Sequence, residues 1–240
     1  MNWQLAAVVE LIVETPRAKS IVLELPEFAG HRPGQHVDVR VTAPDGYQAQ
    51  RSYSIASAPE DGYLMLTVER LADGEVSSHL VGELRAGDQL ELRGPIGGYF
   101  VWDASLAGPV LLVAGGPGIV PFRSMLRHRA AVRSSVAVRL LYSSRSLDDV
   151  IYRDELIRLA AYDEVDVRLI LTREWPEGWR GPRGQINPEL LDEISWPVSE
   201  QPLSFVCGPS GFVEGVVDAL ARNHHPRRLI RTERFGPIGS

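Results

Sequence analysis

Cysteine occurs once in the 240 residues, at Cys207. That excludes an intrachain disulfide, a cysteine-held zinc and a four-thiolate iron–sulfur centre built from these residues alone. Lysine is equally scarce, since Lys19 is the only one among 25 basic residues; we read this as a compositional bias rather than as phosphate chemistry. Positive charge is not in excess either. The 25 basic against 31 acidic residues leave a formal charge of −6, which argues against broad nucleic-acid binding. Long hydrophobic runs are missing: the stretch 109–122 is interrupted by Gly115, Gly116 and Gly118 and falls short of the roughly 20 apolar residues that a bilayer span needs. The opening Trp3-Gln4-Leu5-Ala6-Ala7-Val8-Val9-Glu10 lacks a basic segment and a cleavage pattern, so no secretory signal is expected and a cytoplasmic location is the expectation.

What is present is enough apolar material, 44% of the chain, for one large or two small cores. Two patterns divide it. Up to about residue 100, short alternating and β-branched runs at 5–13, 21–25, 36–41, 51–55, 64–69 and 89–93 predict strands. Turn residues separate them at Thr15-Pro16, Arg32-Pro33-Gly34, Pro44-Asp45-Gly46, Asp61-Gly62 and Ala86-Gly87-Asp88, with a helix expected over 77–84. Six short punctuated strands read as an antiparallel barrel or sandwich. From about residue 108 apolar strands alternate with helices. Strands are expected at 110–114, 136–142, 165–171 and 203–207, and helices at 119–131, 152–161, 188–194 and 211–221. This pattern predicts a parallel sheet wrapped on both faces, with ligands beyond the carboxyl ends of its strands. The boundary is expected near 101–108.

Three strand-to-helix turns and one strand could carry chemistry. Gly115-Gly116-Pro117-Gly118 offers close backbone approach and a helix start to a phosphate. It matches neither G-x-G-x-x-G nor a P-loop, and a bare tight connection explains it equally well. Cys207-Gly208-Pro209-Ser210-Gly211 repeats the geometry; Cys207 alone reads first as a small buried hydrophobe. His224 and His225 fall in an expected exposed basic tail, so they offer no base to a cysteine nucleophile. Ser143-Ser144-Arg145 could hold a ribose 2′-phosphate or be a solvated loop. In Arg51-Ser52-Tyr53-Ser54, strand alternation puts Arg51 and Tyr53 on one face, able to bind a phosphate and stack a flat ring, or simply a surface arginine and a core tyrosine.

Six motifs in order, Arg51-Ser52-Tyr53-Ser54, Gly74-Glu75-Val76-Ser77-Ser78, Gly94-Pro95-Ile96-Gly97, Gly115 to Pro121, Cys207-Gly208-Pro209 and Glu233-Arg234-Phe235, resemble those of the ferredoxin-NADP reductase family. The resemblance implies an antiparallel β-barrel domain binding FAD over residues 1–103, followed by an α/β parallel-sheet domain binding NAD(P) over 104–240. It implies that Arg51 pairs with flavin phosphate, with Ser52 beside it, that Tyr53 packs on the isoalloxazine and ribityl chain, and that Ser54 lies near flavin N5. Gly74, Val76, Ser77 and Ser78 would receive the pyrophosphate at a helix start. Glu69, followed by Arg70, would line the flavin's edge.

In the second half the resemblance gives Gly115, Gly116, Pro117 and Gly118 to the nicotinamide nucleotide, Ser143, Ser144 and Arg145 to a 2′-phosphate with Thr172-Arg173 as a further contact, and Cys207, Gly208 and Pro209 to the nicotinamide. NADPH is thereby favoured, with NADH possible as an alternative donor. Glu233 and Phe235 match a C-terminal segment beside the flavin. Ser54, Cys207 and Glu233 are the expected catalytic set. Pro117 departs from the family's usual Thr or Ser and removes both a hydroxyl and an N–H donor, which makes weak or slow nucleotide binding an open outcome.

The activity implied is hydride transfer from NAD(P)H to FAD, the protein holding and tuning the rings. With one cysteine in these residues, the electrons are expected to leave for a separate acceptor, a redox protein such as ferredoxin or a small molecule. Arg123, Arg127, Arg129 and Arg133, with Arg222, Arg227, Arg228 and Arg231, are candidates for a basic docking surface or for ordinary solvated faces. The alternative function is a flavin-carrying interaction subunit with little nucleotide turnover.

Overall fold

Apolar residues at every second position force a strand to turn one side inward, and the first β-rich stretch does this consistently. A computed structural model describes residues 2–43, 45–106, 108–162 and 165–236; Pro44, of the expected turn at 44–46, lies outside them. The strands are β1 (Gln4–Thr15), β2 (Ala18–Glu24), β3 (His36–Thr42), β4 (Gln48–Ser54), β5 (Leu64–Glu69) and β6 (Gln89–Ile96), with helix α1 (Glu75–Gly82) between the last two. They form an antiparallel sheet in the order β4-β3-β6-β1-β2-β5. An antiparallel bridge from Ile55 to Leu66 joins its two ends, so the sheet closes into a barrel. Ala6, Val8, Ile21, Leu23, Val37, Val39, Leu66 and Val68 fill it, with Leu80 of α1 packed among them.

The second pattern gives strands β7 (Val110–Gly115), β8 (Val138–Ser144), β9 (Val165–Leu171), β10 (Leu203–Pro209) and β11 (Ile230–Phe235), and helices α2 (Val120–Ala131), α3 (Arg153–Tyr162), α4 (Pro188–Ile194) and α5 (Ser210–Arg222). The five strands are parallel and ordered β11-β10-β7-β8-β9. Every residue of β7 is buried, as a central strand covered on both faces requires. On α5 the buried Val213, Val216, Ala219 and Leu220 form one stripe against the sheet. Chain order runs outward from β7 in one direction through β8 and β9, and in the other through β10 and β11. The switch point therefore lies between β7 and β10, where ligands of such sheets bind.

The described residues up to 102, together with 120–131, make one compact unit, and those of 103–119 and from 132 onward make the other. Helix α2, expected to cover the parallel sheet, thus groups with the barrel. Its burial explains this: Val120, Phe122, Met125 and Leu126 are buried, Phe122 stacks at 5.9 Å on Phe100, and two of its arginines are buried as well. No helix among the described residues is long and apolar enough to cross a membrane.

Two expectations are corrected. The stretch after α5 is not an exposed tail: β11 pairs along its whole length with β10, and His225 is buried, its backbone N–H donating to Leu220 O at 2.9 Å. The arginines of α2 are not a docking face either. Arg123 and Arg129 are buried, Arg127 grips Asp61 through two bonds of 2.9 and 2.5 Å, and Arg133 lies beyond the helix end.

Candidate functional site

In the first unit the candidate residues gather on β4 and at the start of α1, which packs against β4 and β5. Register pairs Val39 with Arg51, Asp38 with Ser52, Val37 with Tyr53 and His36 with Ser54. Val37 and Val39 point into the core, so Arg51 and Tyr53 share the inward face and Ser52 and Ser54 the outward one. Tyr53 packs against the core, and burial pushes its phenol up to about 12, so it stays neutral at any ordinary pH. Arg51 is exposed; its guanidinium donates to the carbonyl of Gln50 at 2.7 Å, and no carboxylate among the described residues pairs with it. The remaining guanidinium donors suit an anion.

Ser52 is used otherwise. Its hydroxyl donates to Asp38 Oδ1 at 2.7 Å while Arg93 donates to Oδ2 at 2.6 Å. Burial alone would raise Asp38, but these donors hold its carboxyl below the usual range. Glu69, at the end of β5, faces Arg17 at 3.8 Å.

Helix α1 begins at Gly74 with no side chain capping it, and the backbone N–H groups of Glu75, Val76 and Ser77 have no partner among the described residues. Free amides at a helix start attract a phosphate. Ser77 faces inward instead, its hydroxyl donating to Gly74 O at 3.1 Å and accepting from Leu71 N–H at 3.2 Å, which shapes the entry loop. Ser78 donates to Leu71 O at 3.4 Å. An unpaired arginine, a half-buried neutral tyrosine and an uncapped helix start fit a flavin with its phosphates.

In the second unit the candidates stand at the switch point. Gly115 closes β7, and Gly116–Ile119 form a single 3₁₀ turn running directly into α2. A Cβ on Gly118 would lie 2.1 Å from the carbonyl oxygen of Cys207, and one on Gly115 or Gly208 would strike the Phe212 ring at 2.8 or 2.7 Å. Only glycine allows the β7 and β10 turns to touch, with Phe212 laid across them. Phe212 carries no signal in the sequence beyond an apolar helix position. Pro117 sits half-buried in the 3₁₀ turn.

Cys207 is buried, and its thiol reaches Glu233 Oε2 at 3.9 Å across the β10–β11 pair. Burial, and then the neighbouring carboxylate, push the thiol well up, so it stays protonated. That makes Cys207 a neutral donor rather than a nucleophile. Pro209 and Phe235 pair at the open ends of the same two strands.

At the end of β8, Ser143 and Ser144 are buried while Arg145 is exposed. The Ser144 hydroxyl donates to Ser146 O at 3.1 Å, and Thr172 N–H donates to Ser144 O at 2.9 Å. Arg173, likewise exposed, is tied by its N–H to Arg145 O at 3.0 Å. Two exposed arginines therefore stand at neighbouring strand ends, residue types that suit a phosphate. A surface groove lined by Glu214, Asp218, Arg227 and Thr232 lies elsewhere, on the face of β11 opposite Glu233.

Two family models match the chain. Residues 8–101 match the model of the oxidoreductase FAD-binding domain and residues 112–218 that of the oxidoreductase NAD-binding domain. The chain is 36% identical over 211 residues to ferredoxin–NADP reductase B of Sorangium cellulosum, covering 84% of each. It is 32% identical over 234 residues to the glycine betaine monooxygenase reductase subunit of Pseudomonas aeruginosa, covering 95% of this chain but only 63% of that longer protein. The FAD/NAD-binding domain of nitric oxide dioxygenase from Vibrio cholerae superposes with a TM-score of 0.88 at 26% identity, covering 98% of this chain and 99% of that one.

Proposed function

The chain belongs to the ferredoxin-NADP reductase family, and from that premise we propose that it is a cytoplasmic FAD-dependent NADPH reductase that hands single electrons to a separate redox partner, a ferredoxin or an oxygenase component. The observation that carries the reading is the presence of two cradles in one chain, one in each unit. One is the unpaired Arg51, Tyr53 and uncapped α1 start on the barrel; the other is the glycine turn at the switch point of the parallel sheet. When bound, the flavin accepts hydride from a nicotinamide and releases electrons one at a time. The residues do the rest. Arg51 and the free amides of α1 bind the flavin phosphates, and neutral Tyr53 covers the ring without adding charge. Gly115, Gly116 and Gly118 admit the nucleotide's pyrophosphate to the backbone.

Ser54, Cys207 and Glu233 are proposed as the polar groups around the reacting atoms, Cys207 holding its proton and Glu233 accepting from it. Arg145 and Arg173 select the 2′-phosphate and hence NADPH. A single buried free thiol suits a reducing compartment. Pro117, without hydroxyl or N–H, favours a second reading: a flavin-carrying subunit with little turnover of its own. Purified protein, its flavin identified after release, should reduce ferricyanide with NADPH. FAD present with ferricyanide reduction no faster than in the absence of protein would support the second reading against the first.

A further inference from the structure

Side chains at every second position of a strand share a face, and Tyr47, Ala49, Arg51 and Tyr53 are four such positions running into and along β4. The ladder with β3 continues past the start of β4. Beyond the pair of Thr42 with Gln48, Ala43 N–H donates to Tyr47 O at 2.8 Å. This row stands on the face that meets α1. Ala49 and Tyr53 pack against the core cluster that contains Val76 and Leu80 of that helix, and the Tyr47 hydroxyl donates at 3.2 Å to Oε2 of Glu75, the first residue of α1. From Tyr53 back to Tyr47 the row offers an aromatic ring, an arginine and a second aromatic ring.

Tyr47 is 58% exposed, yet it is tied at both ends. Its N–H donates to Asp45 Oδ1 at 3.0 Å, its carbonyl accepts from Ala43, and Glu75 holds its hydroxyl. The ring is therefore kept with most of its apolar surface in water. Covering that surface with a flat heterocycle is favourable, and a side chain already tied loses little further freedom when it happens. Tyr47 lies four residues before Arg51, about 13 Å along an extended strand. An arginine side chain and one adenosine together span that distance. FMN ends at a single phosphate and has nothing to lay on Tyr47, whereas FAD carries an adenosine on its second phosphate.

We infer that Tyr47 stacks the adenine of the flavin dinucleotide and is the residue by which the barrel selects FAD over FMN. The inference rests on the reductase reading, which puts the flavin phosphates on Arg51 and on the start of α1. The order of side chains along the strand then repeats the order of groups in the ligand: Tyr53 at the isoalloxazine end, Arg51 at the phosphates, Tyr47 at the adenine. Glu75 is a positioning residue, acting through the Tyr47 hydroxyl to fix the tilt of the ring.

Equilibrium dialysis of the full chain, stripped of flavin, against FAD and separately against FMN tests this. The wild type should bind FAD at least about tenfold more tightly than FMN, the scale of one base stacked on an aromatic side chain. Tyr47→Ala should bind FAD about tenfold more weakly and FMN within about twofold of wild type. Tyr47→Phe keeps the ring and loses the bond to Glu75, and should cost FAD less than about threefold. A Tyr47→Ala protein with wild-type affinity for FAD, or one that loses FAD and FMN equally, overturns the inference, as does a wild type that binds both flavins alike. If stripping unfolds the chain, the rate at which FAD leaves the purified holoprotein on dilution decides: about tenfold faster in Tyr47→Ala supports the inference, and an unchanged rate overturns it. A wild type that takes up neither flavin and is purified with none defeats the reductase reading instead.

Discussion

The backbone N–H of Arg173 donates to the carbonyl oxygen of Arg145 at 3.0 Å, joining the loop after β9 to the loop after β8, so that two exposed arginines stand on adjoining backbone. A planar fork donates to two phosphate oxygens at once, and a hydrogen bond to a charged group contributes about 1.5–3 kcal/mol. Arg145→Ala should therefore weaken NADPH about tenfold or more and leave NADH within about twofold, with Arg173→Ala acting in the same direction. Steady-state KM values for both nucleotides check this; equal losses for the two would remove the 2′-phosphate assignment.

Arg51, on the face it shares with Tyr53, is exposed and has no carboxylate partner among the described residues. Removing a lone anion-binding arginine costs no internal ion pair, so Arg51→Ala should fold normally while retaining flavin at least tenfold more weakly, by about 1.5–3 kcal/mol. The ratio of flavin to protein absorbance after gel filtration measures it. Undiminished flavin would contradict the phosphate role.

The contact of the β7 and β10 turns demands glycine, whereas a position inside α5 leaves it optional. Alanine at Gly118 would drive a methyl into the Cys207 carbonyl, 2.1 Å away, and neither backbone can yield. Gly118→Ala should lower stability by about 3 kcal/mol. Gly215, inside α5, has nothing within 4 Å of an added Cβ, so Gly215→Ala should raise stability by about 0.5–1 kcal/mol. Urea midpoints report both, and a tolerant Gly118 would mean that the two turns are not in contact.

Burial holds His31, His36 and His225 below the 6.5 of a free imidazole. As pH falls through that value, the unfolded chain takes up protons that the native chain refuses, so stability is full above it and declines below it. The melting temperature should drop between pH 7.5 and 5.5, a range in which the carboxylates held low by Arg93 and Arg127 do not titrate. A melting temperature unchanged or rising over that interval would show that these imidazoles are not buried as described.

Legibility in the sequence followed the locality of each cause. The alternation that puts Arg51 and Tyr53 on one face needs only neighbours along the strand, and the register with Val39 and Val37 agrees with it. The glycines at 115 and 118 announced a tight turn, but not that the constraint is the Cys207 carbonyl and the Phe212 ring, contributed about ninety residues further along the chain. β11 was missed because Arg231-Thr232-Glu233-Arg234 is a polar edge strand, and an edge strand lacks the apolar run that marks a central one. The arginines of α2 read as a solvated face because their partners, Ala56 and Asp61, come from the barrel more than sixty residues away. Tertiary pairing of that kind leaves no local mark.

The visible spectrum of the purified protein, recorded anaerobically before and after addition of NADPH, tests the central claim most directly. The account predicts a yellow protein with flavin absorbance that NADPH bleaches, more readily than NADH does. Colourless protein, or a flavin band untouched by either nucleotide, would contradict it.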